Sequence, residues 1–369
     1  MSTPMRAVIA AGGTGGHFYP GLVLARTLRQ RGWQPLLLVR RGDPALPRLE
    51  AEDIPAAELD LQGLSRRPGP GWAICAVKLP RSLLLAGRIV RDFKPRVVVG
   101  MGGYLAFPAA LAARLRGVPC AVHESNAVLG LANRMSVALG AALFRGLPAA
   151  GPGPAGTLTG TPVRSVLWAP GDAAGARRDL GLEAAATTVL VFGGSQGAQV
   201  LNETVPAAIA RLARAGSAQL QVLHLCGAES AEAVAQAYTG VRAKVLPYLD
   251  AMEKGFAAAD LVVCRAGAST VAELSCLRKP ALLVPYPHAT GRHQEANARL
   301  LAAVGAARVV PEGQLSRRLA EELADLLSSP AARERRAGMS RAYGQLGLPC
   351  GAEAVRRLAD AVERAAQIG

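Results

Sequence analysis

Residues 7–20, AVIAAGGTGGHFYP, and residues 189–202, VLVFGGSQGAQVLN, open two parts of one chain in the same way. Each is a short apolar run that breaks into glycines and then resumes as a segment of helix length. An unbroken apolar run of this kind reads as a strand buried on both faces. Glycines after it let the backbone turn tightly and leave N–H groups exposed at a helix N-terminus, where an anion binds well. The two loops lie about 180 residues apart, too far for a solenoid repeat but suited to a duplicated fold.

The same alternation continues outward from each loop. In the first half, 6–11, 34–39, 96–100 and 119–123 read as strands, with a helix over 20–31 ending at Gly32. In the second half the strands are 188–192, 220–226, 244–246, 260–264 and 281–285. A helix starts near Gln199, and a last amphipathic one covers 351–366. Strands separated by helices imply βαβ units and parallel sheets. Residues 146–162, GLPAAGPGPAGTLTGTP, are rich in Gly and Pro and uncharged, and read as the boundary region. The expected architecture is α/β, two Rossmann-like domains with parallel sheets facing each other across a cleft, divided at about residue 160.

Composition narrows the function. Half of the 369 residues are apolar but only 4% are aromatic, so Ala, Leu and Val must build the cores. With 19% charged residues the chain is not a disordered polyelectrolyte. The net charge is +15, and residues 1–160 carry most of it, with 19 Lys and Arg against 8 Asp and Glu. An anionic partner for the first half follows. Six scattered cysteines without a CxxC pair argue against zinc or a disulfide framework and suit a reducing compartment. No signal peptide is expected at the N-terminus, and the longest apolar stretch, 97–113, is too broken by Gly and Pro to span a membrane.

Several motifs carry chemistry. Gly12–Gly16 exceeds what a plain turn requires, and His17 at its mouth has the chemistry to take a proton from an attacking hydroxyl. The dinucleotide fingerprint GxGxxG fails here at Phe18, but Arg40 and Arg41 keep an NADP-dependent oxidoreductase open. The loop Gly193–Gly197 also satisfies G-x-S-x-G around Ser195, with Asp250, Asp260 and His288 downstream in the order of a serine hydrolase. Thr270 and Glu273 have the spacing of a capping box, and a carboxylate there could equally hold a ribose diol. Two polar clusters, His123–Asn126 and His288–Asn297, follow strands, where ligands of open α/β sheets bind. Neither has zinc-ligand spacing, and no Asp-x-Asp is present. Residues 72–94 interleave Trp72, Leu83, Leu84 and Phe93 with Lys78, Arg81, Arg88, Arg91 and Lys94. An anionic membrane surface and an ordinary buried-face helix explain this segment equally well. Nucleic acid is disfavoured because stacking aromatics are missing.

Together these segments resemble the MurG glycosyltransferase family across nearly the whole chain. The resemblance rests on GGTGGHFYPGLVLA (12–25), VVVGMGGY (97–104), HESNAVLGLANR (123–134) and TGTPVR (159–164). It continues through VLVFGGSQGAQVLN (189–202), CRAGASTVAEL (264–274) and PYPHATGRHQEANA (285–298). It implies the GT-B fold, with residues 1–160 approaching the lipid acceptor and membrane, 161–344 holding the UDP-sugar, and 345–369 crossing back to the first domain. The implied reaction is inverting transfer of N-acetylglucosamine from UDP-N-acetylglucosamine to the C4 hydroxyl of undecaprenyl-pyrophosphoryl-MurNAc-pentapeptide, lipid I to lipid II, in peptidoglycan synthesis. The setting is peripheral, on the cytoplasmic face of the plasma membrane.

By the same resemblance Ser195, with Arg164 nearby, would contact the donor. Arg265, Ala268, Ser269 and Thr270 would surround nucleotide and sugar, and Glu273 would hold the ribose. Tyr248 and Leu249 would flank the uracil, and Gln294 and His293 would reach the sugar. Thr14, Gly15, Gly16 and Asn126 would complete the site, with His17 as base and Glu124 second in line. No cofactor is implied as obligatory, and stimulation by Mg²⁺ stays open. Ser125, Thr161, Phe107 and His293 depart from the family's commoner residues, all near the acceptor or sugar positions.

Overall fold

The computed structural model describes residues 4–12, 15–61, 70–194, 197–216, 219–227 and 231–367, without the side chains of 70–77 and 79. The chain divides into two compact units, Met1–Ser165 with Leu348–Gly369, and Val166–Gly347.

Unit 1 contains β1 (Arg6–Ala10), α1 (Gly15–Gln30), β2 (Gln34–Arg40), α2 (Leu46–Ala51), β3 (Ala56–Leu59), α3 (Pro70–Phe93) and β4 (Val97–Gly100). It continues with α4 (Ala106–Arg114), β5 (Cys120–Glu124), α5 (Leu131–Ala138), β6 (Ala142–Arg145) and β7 (Thr157–Leu158). Unit 2 contains α6 (Ala173–Asp179), β8 (Thr187–Phe192), α7 (Gln199–Arg214), β9 (Leu220–Leu225), α8 (Ala231–Gln236), β10 (Arg242–Leu246) and α9 (Met252–Ala258). Then come β11 (Leu261–Cys264), α10 (Ala268–Leu277), β12 (Ala281–Leu283), α11 (His293–Ala303), β13 (Ala307–Val309), α12 (Leu315–Leu327) and α13 (Ala332–Ala342). The final helix, α14 (Gly351–Gln367), belongs to unit 1.

Both sheets are parallel throughout. Among the described residues their orders are β3-β2-β1-β4-β5-β6-β7 and β10-β9-β8-β11-β12-β13. Each reverses direction beside its first strand, so the loops after β1 and β4, and after β8 and β11, flank a topological switch point. The central strands are runs such as Val97–Val99, Val189–Val191 and Leu261–Val263, all fully buried because helices cover both faces. Removing such side chains from water, at roughly 25 cal/mol per Å², is the main force holding each unit together.

Helix α14 explains why the last residues return to unit 1. Its apolar face is buried, and Leu358, Ala359 and Val362 join the core that α1 also lines. Arg31 pairs with Asp360 at 2.8 Å and Glu363 at 2.9 Å, and the Trp33 indole N–H donates to Glu363 at 3.2 Å.

The structure corrects three expectations. The division falls at Ser165/Val166 and Gly347/Leu348, not at 160 and 344, so Arg164 lies in unit 1. The Gly/Pro-rich stretch is no bare linker. Its Thr157–Leu158 extend the sheet beside β6, and the carbonyl of Gly160 accepts from His123 Nε2 at 3.0 Å. Helix α1 begins at Gly15 rather than Pro20. Pro20 thus falls inside the second turn, where it leaves the carbonyl of Gly16 without its usual helical donor.

Candidate active site

In unit 1 the polar residues converge at the carboxyl ends of β1, β4 and β5. His17 sits in the first turn of α1, half-buried, with Nδ1 3.1 Å from the carbonyl of Met101 after β4. A carbonyl can only accept, so Nδ1 carries a proton and Nε2 is the ring's other nitrogen. The imidazole lies against Gly102 and Gly103. A Cβ on Gly102 would stand 2.9 Å from Cε1 and Nδ1, and one on Gly103 would stand 3.1 Å from Cδ2. Both glycines also have left-handed backbones, at φ +95° and +71°. The GGY motif is therefore a seat shaped for this ring. Gly15 and Gly16 share the same turn, while Gly13 and Thr14 lie outside the described residues.

Glu124 ends β5 and is almost fully buried. Its Oε1 accepts from the N–H and the Nδ2 of Asn126 at 3.0 and 3.1 Å. Its Oε2 accepts from Gly130 N–H and Asn133 Nδ2, both at 2.9 Å. Four donors on two oxygens make this carboxylate the clamp of the 125–133 loop, with its lone pairs committed. Asn126 is folded back onto that clamp. His123, fully buried, donates through Nε2 to Gly160 and receives the Ser125 hydroxyl at Nδ1, 3.3 Å away. Burial holds its pKa below the ordinary imidazole value. Arg164 stacks over the Tyr19 ring of α1 at 5.4 Å, with Arg48 also stacked on that ring, at 5.5 Å.

In unit 2 a cavity of about 620 Å³ opens at the carboxyl ends of β8, β11 and β12, bordered by Gly193, Gly197, Arg265, Tyr286, Gln294 and Glu312. Arg265 is held from three sides. It donates to the carbonyls of Val284 at 3.2 Å and Pro285 at 3.4 Å, lies 2.6 Å from Glu312, and stacks over Tyr286 at 5.3 Å. The carbonyl of Ala266 accepts from the fully buried Asn297 at 3.1 Å, which fixes the loop between β11 and α10. Gln294 accepts from the N–H of Tyr286 at 2.9 Å, and His293 Nδ1 donates to the carbonyl of Thr290 at 2.7 Å.

Helix α10 corrects the capping-box reading. Its N-cap is Gly267, extended at φ −64° and ψ 151°, and no side chain caps it. Ala268, Ser269 and Thr270 thus form the first turn, where helical N–H groups have no intrahelical acceptor. Glu273 lies on the second turn, close enough to Cys264 that its charge, after burial, helps disfavour the thiolate. The absent side-chain cap leaves an anion-binding helix start beside Arg265.

The second glycine loop is anchored from beneath by a polar network inside the core. Asn202 donates to the carbonyl of Cys226 at 3.0 Å, and its Oδ1 accepts from His224 Nε2 at 3.0 Å. The Tyr238 hydroxyl donates to His224 Nδ1 at 2.8 Å. Burial pushes His224 down to about 4 and the Tyr238 hydroxyl up, so both stay neutral. Gly197 rests on that same Cys226 carbonyl, which a Cβ would approach to 2.2 Å. Ser195 and Gln196 lie outside the described residues. Tyr248 is exposed after β10, whereas Leu249 turns inward, its Cδ2 only 3.1 Å from where a Cβ on Gly255 would stand.

Comparison with known proteins gives this geometry a family. Models of the glycosyltransferase family 28 N-terminal and C-terminal domains match residues 7–143 and 188–349. A protein of Alkalilimnicola ehrlichii named UDP-N-acetylglucosamine–N-acetylmuramyl-(pentapeptide) pyrophosphoryl-undecaprenol N-acetylglucosamine transferase is 40% identical over 96% of this chain and 98% of its own. One of the same name from Bordetella pertussis is also 40% identical, over 100% of this chain and 99% of its own. The crystal structure of Acinetobacter baumannii MurG superimposes with a TM-score of 0.77 at 29% identity, covering 98% of this chain and 100% of that one. The chain belongs to the MurG family.

As a MurG-family member it is a glycosyltransferase of the GT-B class, with two α/β units that each carry a parallel sheet. The comparisons give no support to the hydrolase reading, and geometry removes one of its two candidate acids. Asp260 stands at the amino end of β11, bound to Arg177 at 2.7 Å and to the N–H of Thr188 at 2.8 Å. His288 follows the carboxyl end of β12, so the sheet separates that acid from that base. Nothing in the comparisons favours an NADP enzyme.

The motifs did not single out Tyr286, Glu312, Asn202, His224 and Tyr238. Tyr286 and Asn202 lie within segments that carry the family resemblance, and an aromatic ring beside Pro285 is the signal for the first. Glu312, His224 and Tyr238 are joined to the site only by folding, through partners on different elements.

Proposed function

We propose that this protein transfers N-acetylglucosamine from UDP-N-acetylglucosamine to the C4 hydroxyl of undecaprenyl-pyrophosphoryl-MurNAc-pentapeptide, forming lipid II for peptidoglycan. The observation that carries the reading is its near full-length identity to proteins named for that transfer. Unit 2 binds the donor. Its diphosphate rests on the first turn of α10 and Arg265, with Ser195 and Thr270 beside it. The ribose lies at Glu273, the uracil by Tyr248, and the sugar near Gln294 and His293. In unit 1 His17 is the base. The acceptor oxygen attacks the anomeric carbon, its proton passes to Nε2, and the bond from that carbon to the β-phosphate oxygen breaks with inversion. N–H groups and a fixed guanidinium hold the charge of the leaving UDP. Glu124 shapes the neighbouring loop and is not the base. The step as written needs no cofactor, and Mg²⁺ can assist by pairing with the diphosphate.

The protein works at the cytoplasmic face of the plasma membrane as a peripheral enzyme. No described helix is long and apolar enough to cross a membrane. Helix α3 buries Ser82, Ala86 and Val90 and exposes Leu84 and Leu85 beside Arg81, Arg88 and Arg91, as a helix resting on anionic lipid would. Calorimetric titration of UDP-N-acetylglucosamine, with UDP-N-acetylgalactosamine and NADPH as controls, tests the donor. Saturable binding selective for the gluco sugar and weakened in Glu273→Ala is expected. Equal binding of both sugars would sink the assignment.

A further inference from the structure

A second cavity of unit 2, about 930 Å³, lies at the opposite edge of the sheet from the proposed donor site. Its walls come from the amino ends of β8, β11 and β12, together with α6, the end of α10 and α13. Arg177, Arg278, Lys279, Arg333 and Arg336 line it, and Asp260 is its one carboxylate. That carboxylate is engaged by Arg177 and the N–H of Thr188. The half-buried Lys279 and Arg336 end on neutral carbonyls, Lys279 on Ala259 at 2.9 Å and Arg336 on Leu326. Carbonyls orient a cation without cancelling its charge. Arg278 and Arg333 are exposed, with no ion pair among the described residues. No aromatic side chain lines the walls, so a nucleobase has nothing to stack on.

We propose that this cavity is an anion site for a phosphate or diphosphate group, separate from the UDP-sugar site. Guanidinium groups from α6 and α13, with Arg278 and Lys279 between them, converge on one space and match phosphate oxygens. Burial among like charges also pushes the Lys279 ammonium and the Arg336 guanidinium down, a cost that a bound dianion removes. By joining three elements the anion would stiffen the amino edge of the sheet.

The test is calorimetric titration of inorganic pyrophosphate into the full chain in the presence of saturating UDP, which keeps pyrophosphate out of the donor site. The control rests on the proposed donor. The variant is Arg278→Gly with Arg333→Gln. Both positions are exposed, and Arg278 has a left-handed backbone that glycine adopts without strain. The expected result is one saturable site, weakened at least tenfold in the variant, with transferase turnover unchanged. Absence of binding, or equal affinity in both proteins, overturns the proposal. Co-sedimentation with phosphatidylglycerol vesicles separates the sources. Loss of vesicle binding in the variant identifies a lipid headgroup, and unchanged vesicle binding with loss of pyrophosphate identifies a soluble anion.

Discussion

The two units share a strand order but hold their loops with different chemistry. Unit 1 places an imidazole, His17, against two glycines, with Nδ1 on the Met101 carbonyl. Its carboxylate, Glu124, is spent on four donors of its own loop. Unit 2 fixes its loops with amides, Asn297 on Ala266 and Asn202 on Cys226, and presents a guanidinium beside an uncapped helix start. On the proposed mechanism one unit takes a proton and the other holds an anion. Duplicating a fold thus reproduces where a site forms, while the side chains at the strand ends decide what it does.

The sharpest way to break this comparison is His17→Ala. It should lower kcat by about 10²- to 10⁴-fold, the usual worth of a general base, with donor affinity in calorimetry within twofold. Loss of donor binding in step with kcat would show that the proton-handling and anion-handling roles are not divided as described.

Changes to the two clamps should have smaller effects, on stability. Asn297→Ala leaves the Ala266 carbonyl buried without its donor, and Glu124→Gln turns an acceptor toward two donors into an amide NH₂. Each should cost about 1–3 kcal/mol in urea unfolding, and only Asn297→Ala should also weaken UDP-sugar binding. A Glu124→Gln enzyme of normal stability and lost turnover would return that residue to the role of base.

The buried His224 gives a pH-dependent contrast. Its folded pKa, about 4, lies below the ordinary 6.5, so the unfolded chain binds the proton first. The stability this contributes is complete above 6.5 and is lost as pH falls toward 4, by up to about 1.4 kcal/mol per pH unit. His123 in unit 1 shifts in the same direction through burial. Urea midpoints between pH 7.5 and 4.5 should fall for the wild type and more gently for His224→Gln. Identical slopes would remove His224 from the account.

The smallest effect expected is a gain. Arg278 closes α10 with a left-handed backbone at φ 50°, and Arg278→Gly should stabilise unit 2 by about 1 kcal/mol, read as a higher melting temperature. A lower one would mean that the guanidinium contributes more than the strain costs.

Much of this molecule is written locally. Apolar runs such as 97–100 and 189–192 can only be buried parallel strands in an alternating pattern, and glycines after them can only be turns. The strands around each switch point, the duplicated α/β class and the family were therefore legible from residue order alone, whereas β3, β6, β7 and β13 were not. Folding decided what depends on partners far apart in the chain. Thr270 and Glu273 have capping-box spacing, yet Gly267 starts the helix, because the loop before it is pinned by Asn297, 31 residues away. Residues 146–162 have a linker's composition, yet His123 and β6 tie them into unit 1. Glu124 has the chemistry of a base, and only the four donors that the fold brings around it show where its lone pairs go. Local sequence sets backbone preference and burial, but a titratable side chain takes its role from the groups that surround it, and the tertiary structure chooses those.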